Sequence, residues 1–416
     1  MSLEQEKQLE SKYVMPTFAR SDVEFVSGRG MHLTDSDGKE YLDFLSGIGV
    51  CSLGHCHPKV VAALSEQASK LIHVSNYFYI EGRGRLAERL SELLNVGNGS
   101  AGVAPKTWKA FFANSGAEAN ECAIKLARLR AKRQASSKGQ NPDLAPSVVV
   151  TLVKSFHGRT LATLAATGQA AFHSGFEPMP EGFLPTPIND VDSLRALFDT
   201  MGDSICAVML ECIQGESGVH VCSADFLREV RRLCSDNDAL MICDEVQCGM
   251  FRTGKPFGFQ NFGIVPDVVT IAKGIASGMP AGACCAVEEV ADVMEPGKHG
   301  STFGGSNLAV AAANATLDEL SKPEYAASIQ EVGEYLRGKL AGMPQVESVR
   351  GLGLMVGCDL AEGIDAHDVV KAALQDGLVI NATGPRTLRF LPPLVCSKYD
   401  VDVFAEKLAA TLNRVG

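Results

Sequence analysis

The 416-residue chain has no apolar run approaching the roughly 18 residues of a membrane span. Its opening, MSLEQEKQLESKY, lacks the apolar core of a secretory signal, and Glu4, Glu6 and Glu10 argue against a transit peptide. Positive charge is in deficit, with a formal net charge of −11. Such a surface repels phosphate backbones and anionic lipids, so neither nucleic acid nor membrane is an expected partner. A small acidic ligand in a local basic pocket stays open. The cluster GHCHP, with Cys51, His55, Cys56 and His57, lacks the second ligand pair of a zinc site and reads as a structural turn, so no metal is expected. Gly28-x-Gly30 and Gly351-x-Gly353 lack the third glycine and the strand-to-helix context of a dinucleotide fingerprint. Internal repeats are absent.

What is present is ordinary globular material, 46% hydrophobic and 21% charged. The 13 cysteines are odd in number and mostly single residues inside apolar runs such as SICAVML and LMICDEV. That is the pattern of free, buried thiols in a reducing compartment, and the cytoplasm is the expected location. Residues 1–65 read as a short extended segment followed by strands turning at SGRG and SDGKE. Helical periodicity begins after Pro58. From about 66 to 320, helical segments such as GRLAERLSELL and FLREVRRLC alternate with short apolar runs, AFF, SVVVTLV, CAVML, ALMICDE and DVVTIAK. This alternation predicts an α/β domain around a mainly parallel sheet covered on both faces. Residues 321–416 read as a smaller α+β portion that shares a domain with the N-terminal segment. QASSKGQNPDLAPS (134–147) is the stretch expected to be disordered.

Open parallel sheets bind ligands beyond the carboxyl ends of their strands, so the residues after each apolar run matter most. KAFFA is followed by NSGAEANECAIKLAR, a turn into a helix in which Ser115 and Glu118 have capping-box spacing. The helix N-terminus offers a phosphate seat, although an ordinary cap reads the same way and no Gly-Lys-Ser/Thr of a P-loop follows. ALMIC is followed by Asp244, a carboxylate that is costly to desolvate unless it meets a cation, a protonated nitrogen or a helix end. DVVTIA is followed by Lys273. Burial there would favour its neutral, nucleophilic amine, suited to a Schiff base, while the plainer alternative is a snorkelling lysine. A phosphate seat, a carboxylate for a pyridinium nitrogen and an imine-forming lysine are together the protein groups that pyridoxal 5'-phosphate requires.

The segments NSGAEANECAIKLAR, SFHGRT, ECIQGE, DEVQCGMFRTG, AKGIASGMPAGA and STFGGSNLA, in this order, closely resemble the motifs of class III pyridoxal-phosphate aminotransferases. The likeness spans about residues 12–410. KYVMPTFAR, YLDFLSGIGVCSLGHCHP and the tail VRGLGLMVGCDL…LRFLPPLV are most similar to the acetylornithine branch of the class, with ornithine and 4-aminobutyrate enzymes as near relatives.

The resemblance implies fold type I with a seven-stranded sheet, and a homodimer whose active site lies at the interface. It implies transfer of an ω-amino group to 2-oxoglutarate. Lys273 would be the catalytic, coenzyme-bound lysine. Asp244 would hold the ring nitrogen, Gln247 the phenolic oxygen, and Ser115, Gly116 and Ala117 the phosphate. Thr302 would add a phosphate contact from the neighbouring subunit, and Ser301 beside it would meet substrate. Phe156 would stack on the ring, with His157 a positioning neighbour. Arg159 would grip one substrate carboxylate and Arg389 the second carboxylate of glutamate, with Glu216 pairing Arg389 in the other half-reaction. The plainer reading of both arginines is a structural ion pair, and Arg386 lies three residues from Arg389.

The chain departs from the class at Cys212 (usually Pro), Cys248 (usually Thr), Ser277 (often Gly) and Ser306-Asn307 (usually Asn-Pro). Cys248 and Ser306-Asn307 are expected close to the pocket. NYFYIEG (76–82) departs as well, and its Tyr77, Phe78 and Tyr79 are expected to line the path of the substrate side chain or simply to pack.

Overall fold

A computed structural model describes residues 2–415. Its centre is a seven-stranded sheet in the order Trp108–Ala113, Gly282–Val287, Val268–Ile271, Leu240–Asp244, Ile205–Leu210, Val148–Leu152, Phe183–Thr186. All neighbours pair in parallel except Gly282–Val287, which runs antiparallel to both of its partners. The central runs ICAVML, LMICD and VVTI are buried at every position. Continuous apolar strands of this kind are stable only with both faces covered, and helices such as Gly116–Ser137 and Ala224–Asp236 pack against the sheet. The cysteines are free, and all but Cys51 and Cys56 are buried.

Strands Phe25–Arg29, His32–Asp35 and Glu40–Asp43 form an antiparallel meander, and Leu378–Val379 joins its edge in parallel. The N-terminal segment thus shares a sheet with the C-terminal hundred residues. A second sheet orders Val346–Leu352, Met355–Leu360, Thr387–Phe390 and Asn381–Ala382. Among the described residues no helix is long and apolar enough to cross a membrane.

Two local expectations fail. The first residues are not extended: Leu3–Tyr13 is an α-helix closed by a capping box between Ser2 and Gln5, and it buries no residue. Ser-x-x-Gln is an N-terminal helix signal, and here it prevails without an apolar face against a core. The stretch 134–147 is not structureless either. Helix Gly116–Ser137 runs into it, and Asn141 caps a short 3₁₀ turn at Pro142–Leu144.

GHCHP is a turn. His55 Nε2 lies 2.7 Å from Asp43 Oδ2, while Asp43 Oδ1 accepts the N–H groups of Leu45 and Ser46. The hydrogen bond to Asp43, with help from Cys51, raises the His55 imidazole to about 10. A raised folded-state pKa contributes stability that is complete below the unfolded value of about 6.5 and is lost as pH climbs through the folded one. The melting temperature of the native chain should therefore fall between pH ~7 and pH ~10, and His55→Gln should remove that part of the fall. Parallel melting curves of the two proteins across this range would check it.

Candidate active site

Five of the sheet's strands deliver side chains to one cavity of about 430 Å³ at their carboxyl ends. Ser115, Gly116, Ala117, Phe156, Arg159, Glu216, Asp244, Gln247 and Lys273 all line it. The structure thus brings together most of the residues singled out in the sequence.

The helix Gly116–Ser137 opens onto this cavity. Ser115 Oγ accepts the Glu118 N–H, and the Glu118 carboxylate reaches back past the cap to Asn114. First-turn amides have no acceptor within their own helix, so Gly116 and Ala117 present N–H groups and the positive dipole end at the cavity wall. A Cβ at Gly116 would sit 2.8 Å from the Val246 methyls, so glycine lets the helix start close against the strand tip that carries Asp244.

Asp244 is buried and tightly held. Its Oδ2 accepts from Asn120 Nδ2 and His157 Nδ1, both at 2.8 Å, and its Oδ1 accepts the Val246 N–H at 3.0 Å. His157 thus stands as one of the two side chains that hold Asp244. Asn120 escaped the sequence reading, although a buried Asn inside a helix is a poor helix former and was a usable signal. Asn120 Nδ2 also donates to the His157 carbonyl at 2.7 Å, which ties the two supports of Asp244 together.

Lys273 adopts φ +44°, a left-handed conformation that costs about 1–2 kcal/mol for a residue with a Cβ. Ser277, where the class often has Gly, also adopts φ +44°, and its hydroxyl accepts the Leu53 N–H at 3.0 Å. Burial lowers the Lys273 ammonium below its ordinary value, while Glu216, with Oε1 3.7 Å from Nζ, works in the opposite direction.

Glu216 stands on the turn between Ile213–Gln214 and His220–Val221. Its Oε1 meets Arg389 Nη1 at 2.9 Å and accepts from Gln247 Nε2 at 2.9 Å. Burial alone would raise its carboxyl, but Arg389, Lys273 and Gln247 hold it down at about 2. Gln247 Oε1 in turn accepts from Arg389 Nη1 at 3.1 Å. A Cβ at position 215 would lie 1.7 Å from that Gln247 oxygen, so only glycine admits the arrangement. Arg389 is 1% exposed and does not line the cavity, because Glu216 and Gln247 stand in front of it.

Arg159 is different. It is exposed and has no hydrogen-bond or ion-pair partner among the described residues. Its guanidinium lies over the rings of Phe172 at 4.0 Å and Phe156 at 5.4 Å. The plain ion-pair reading therefore does not apply to it. Arg386 pairs with Glu347 and is no part of the site. Glu211, a second residue missed in the sequence, accepts the N–H groups of Phe156 at 2.9 Å and Gly215 at 3.3 Å, and burial pushes its carboxyl up to about 7.

Ser301 and Thr302 are not brought to this cavity. With Tyr77 and Tyr79 they line a separate one of about 1040 Å³, and both tyrosines are almost fully exposed. Cys248 and Ser306-Asn307 do not line the Lys273 cavity. The Cys248 Sγ donates to Glu245 Oε2 at 3.2 Å, away from it, and Ser306 occupies the N-cap position of the helix Asn307–Leu320 without a side-chain capping bond. Cys212 packs against Cys243, with 3.9 Å between the sulfurs.

The donor set fits pyridoxal phosphate. It offers helix amides for a phosphate, a fixed carboxylate for a protonated ring nitrogen, a partly buried amine whose charged form is disfavoured and an aromatic ring on the wall.

The chain matches the family model "Aminotransferase class-III" over residues 17–412. It is 43% identical to the acetylornithine aminotransferase of Caldanaerobacter subterraneus subsp. tengcongensis, over 98% of this chain and 98% of that protein. The solved N-acetylornithine aminotransferase of Stenotrophomonas maltophilia is 35% identical, with a TM-score of 0.80 and 98% of each chain covered. The ornithine aminotransferase of Toxoplasma gondii, solved with PLP at partial occupancy in its active site, is 31% identical. Its TM-score is 0.88, and the match covers 100% of this chain and 95% of that one.

Proposed function

The chain belongs to the class III aminotransferase family, and from that premise we propose that it transfers the terminal amino group of N2-acetylornithine to 2-oxoglutarate. The products are N-acetylglutamate 5-semialdehyde and glutamate, a step of arginine biosynthesis, and the coenzyme is pyridoxal 5'-phosphate. The observation that carries the reading is one cavity holding Lys273, Asp244 and the first turn of Gly116–Ser137, with Glu216 on its wall covering an arginine behind it. The acyl-ornithine substrate follows the relatives of high identity and near-complete coverage.

When bound, the coenzyme supplies a carbonyl for the amino group and an electron sink for the charge left on the substrate carbon. The amides of Gly116 and Ala117, with Ser115, hold the phosphate. Asp244, fixed by Asn120 and His157, keeps the ring nitrogen protonated. Gln247 would meet the phenolic oxygen, and Phe156 would supply an aromatic wall for the ring. Lys273 Nζ would hold the coenzyme at rest and would carry a proton from the substrate carbon to the coenzyme's carbonyl carbon. Arg159 grips a substrate carboxylate with its planar fork. Arg389 is the second carboxylate site. While Glu216 covers it, the pocket suits the ω-amino substrate. When Glu216 moves aside, Arg389 receives the second carboxylate of 2-oxoglutarate or glutamate, the one beside the reacting carbon, because the site that Glu216 vacates lies next to Lys273 Nζ.

The active form is a homodimer. Tyr77, Phe78, Tyr79 and Phe303 are all exposed, large apolar side chains of the kind a second copy would cover, and Thr302 and Ser301, which line one cavity with Tyr77 and Tyr79, would reach the partner's cavity from there. In our reading residues 66–320 form the large domain, 1–65 and 321–416 form the small one, and the enzyme works in the cytoplasm.

The test is a panel of acetylornithine, succinylornithine, ornithine and 4-aminobutyrate, each with 2-oxoglutarate. The highest kcat/KM should fall on acetylornithine. A clear preference for either unacylated amine would overturn the substrate assignment and leave the family untouched.

A further inference from the structure

Arg389 poses a problem that Glu216 alone does not solve. A buried guanidinium needs acceptors for its N–H groups in every state of the site. If its carboxylate partner leaves, something else must hold the side chain in place. A second carboxylate would hold it but would also neutralise the charge that the substrate seeks.

The strand pairing supplies the answer. Asn381 lies directly across from Arg389 on the neighbouring antiparallel strand. Its Oδ1 accepts from Arg389 Nε at 3.1 Å, on the opposite edge of the guanidinium from the Nη1 that meets Glu216. Its Nδ2 donates to the Ala382 carbonyl at 3.0 Å, which fixes which end of the amide faces the arginine. Glu216 is the sole carboxylate paired with Arg389 among the described residues, and at 25% side-chain exposure it is far more open than Arg389 at 1%. The arginine thus sits between neutral amide acceptors, Asn381 and Gln247, and one removable anion.

We propose that Asn381 is a positioning residue for the dicarboxylate half-reaction: it holds Arg389 in its binding pose through a neutral acceptor while Glu216 is displaced. This rests on the assignment of Arg389 to the second carboxylate of 2-oxoglutarate and glutamate. Asparagine suits the task because its amide satisfies Nε without cancelling the positive charge. Aspartate at this position would be a carboxylate that no substrate displaces.

The experiment compares Asn381→Asp, Asn381→Leu and Arg389→Leu as holoenzymes with the native protein. Two quantities are read: KM for 2-oxoglutarate and for acetylornithine, and calorimetric affinity for glutarate, a dicarboxylate that carries no reacting group. Asn381→Asp should raise the 2-oxoglutarate KM and weaken glutarate binding by ~10-fold or more, the equivalent of about 1.4 kcal/mol. The acetylornithine KM should stay within about twofold, since Glu216 still covers Arg389 in that half. Asn381→Leu, which removes the acceptor without adding charge, should move the same quantities in the same direction by less. Equal changes in both half-reactions, or none in either, would overturn the proposal and leave Asn381 a structural residue. If an Asn381 variant does not fold, Asn381→Ser takes its place and is judged by the same split. If Arg389→Leu leaves the dicarboxylate KM and glutarate affinity unchanged, the role of Arg389 itself fails. If Arg389→Leu changes them and Asn381→Asp does not, only the present inference fails.

Discussion

Lys273→Ala should lower turnover by at least ~10³-fold while leaving the fold intact, since proton transfer by a positioned side chain accounts for about 10²–10⁴ and this residue also anchors the coenzyme. The cavity contains no other primary amine among its lining residues, so nothing stands ready to replace Nζ. Its chemistry is prepared by place rather than by a strong partner. Burial favours the neutral amine, and Glu216, which opposes this, is at 3.7 Å and is itself committed to Arg389 and Gln247. The left-handed backbone at position 273 is relaxed by glycine and costs alanine no more than it costs lysine, so Lys273→Ala isolates the amine. Borohydride treatment should fix coenzyme covalently to the native chain and leave Lys273→Ala unlabelled, as read by intact mass. Lys273→Arg should be equally inactive, because a guanidinium stays protonated in any such site. A labelled or fully active Lys273→Ala protein would end the assignment.

The sequence made the sheet readable because its strands are short apolar runs between amphipathic helices, and fully buried parallel strands must look that way. The strand-tip rule then led directly to Ser115, Asp244 and Lys273, since each follows such a run without a gap of more than two residues. Their neighbours were a different matter. Asn120 supports Asp244 across 124 residues of sequence, and Asn381 touches Arg389 only because two short strands pair in one register. Contacts of that kind are set by tertiary packing and leave no periodic trace. Arg159 and Arg389 were placed by family likeness, and the structure adds that one is open and stacked on aromatic rings while the other is covered. The N-terminal helix was misjudged for the opposite reason. Its signal is local, a Ser-to-Gln cap, but a helix that buries nothing has none of the apolar periodicity that the reading relied on.

Asp244 carries the other large expected loss. Three donors converge on its carboxylate, from Asn120, His157 and the Val246 N–H. A carboxylate accepts all three through its two oxygens. An amide cannot. If the Asn oxygen faces Asn120 and His157, its NH₂ confronts the Val246 N–H, and if it is flipped, two donors are left without an acceptor. Asp244→Asn should therefore destabilise the protein by about 1–3 kcal/mol, the usual cost of a buried group left unsatisfied, and lower kcat by ~10³-fold because a neutral group no longer holds a proton on the ring nitrogen. These two effects separate in Asp244→Ala, which removes the carboxylate and leaves space. Loaded with coenzyme methylated on its ring nitrogen, whose positive charge needs no proton, Asp244→Ala should recover a substantial part of the lost turnover, whereas Lys273→Ala given the same analogue should recover none. If the methylated coenzyme rescues neither variant although it binds both, Asp244 acts by fixing His157 and Asn120 rather than by charge.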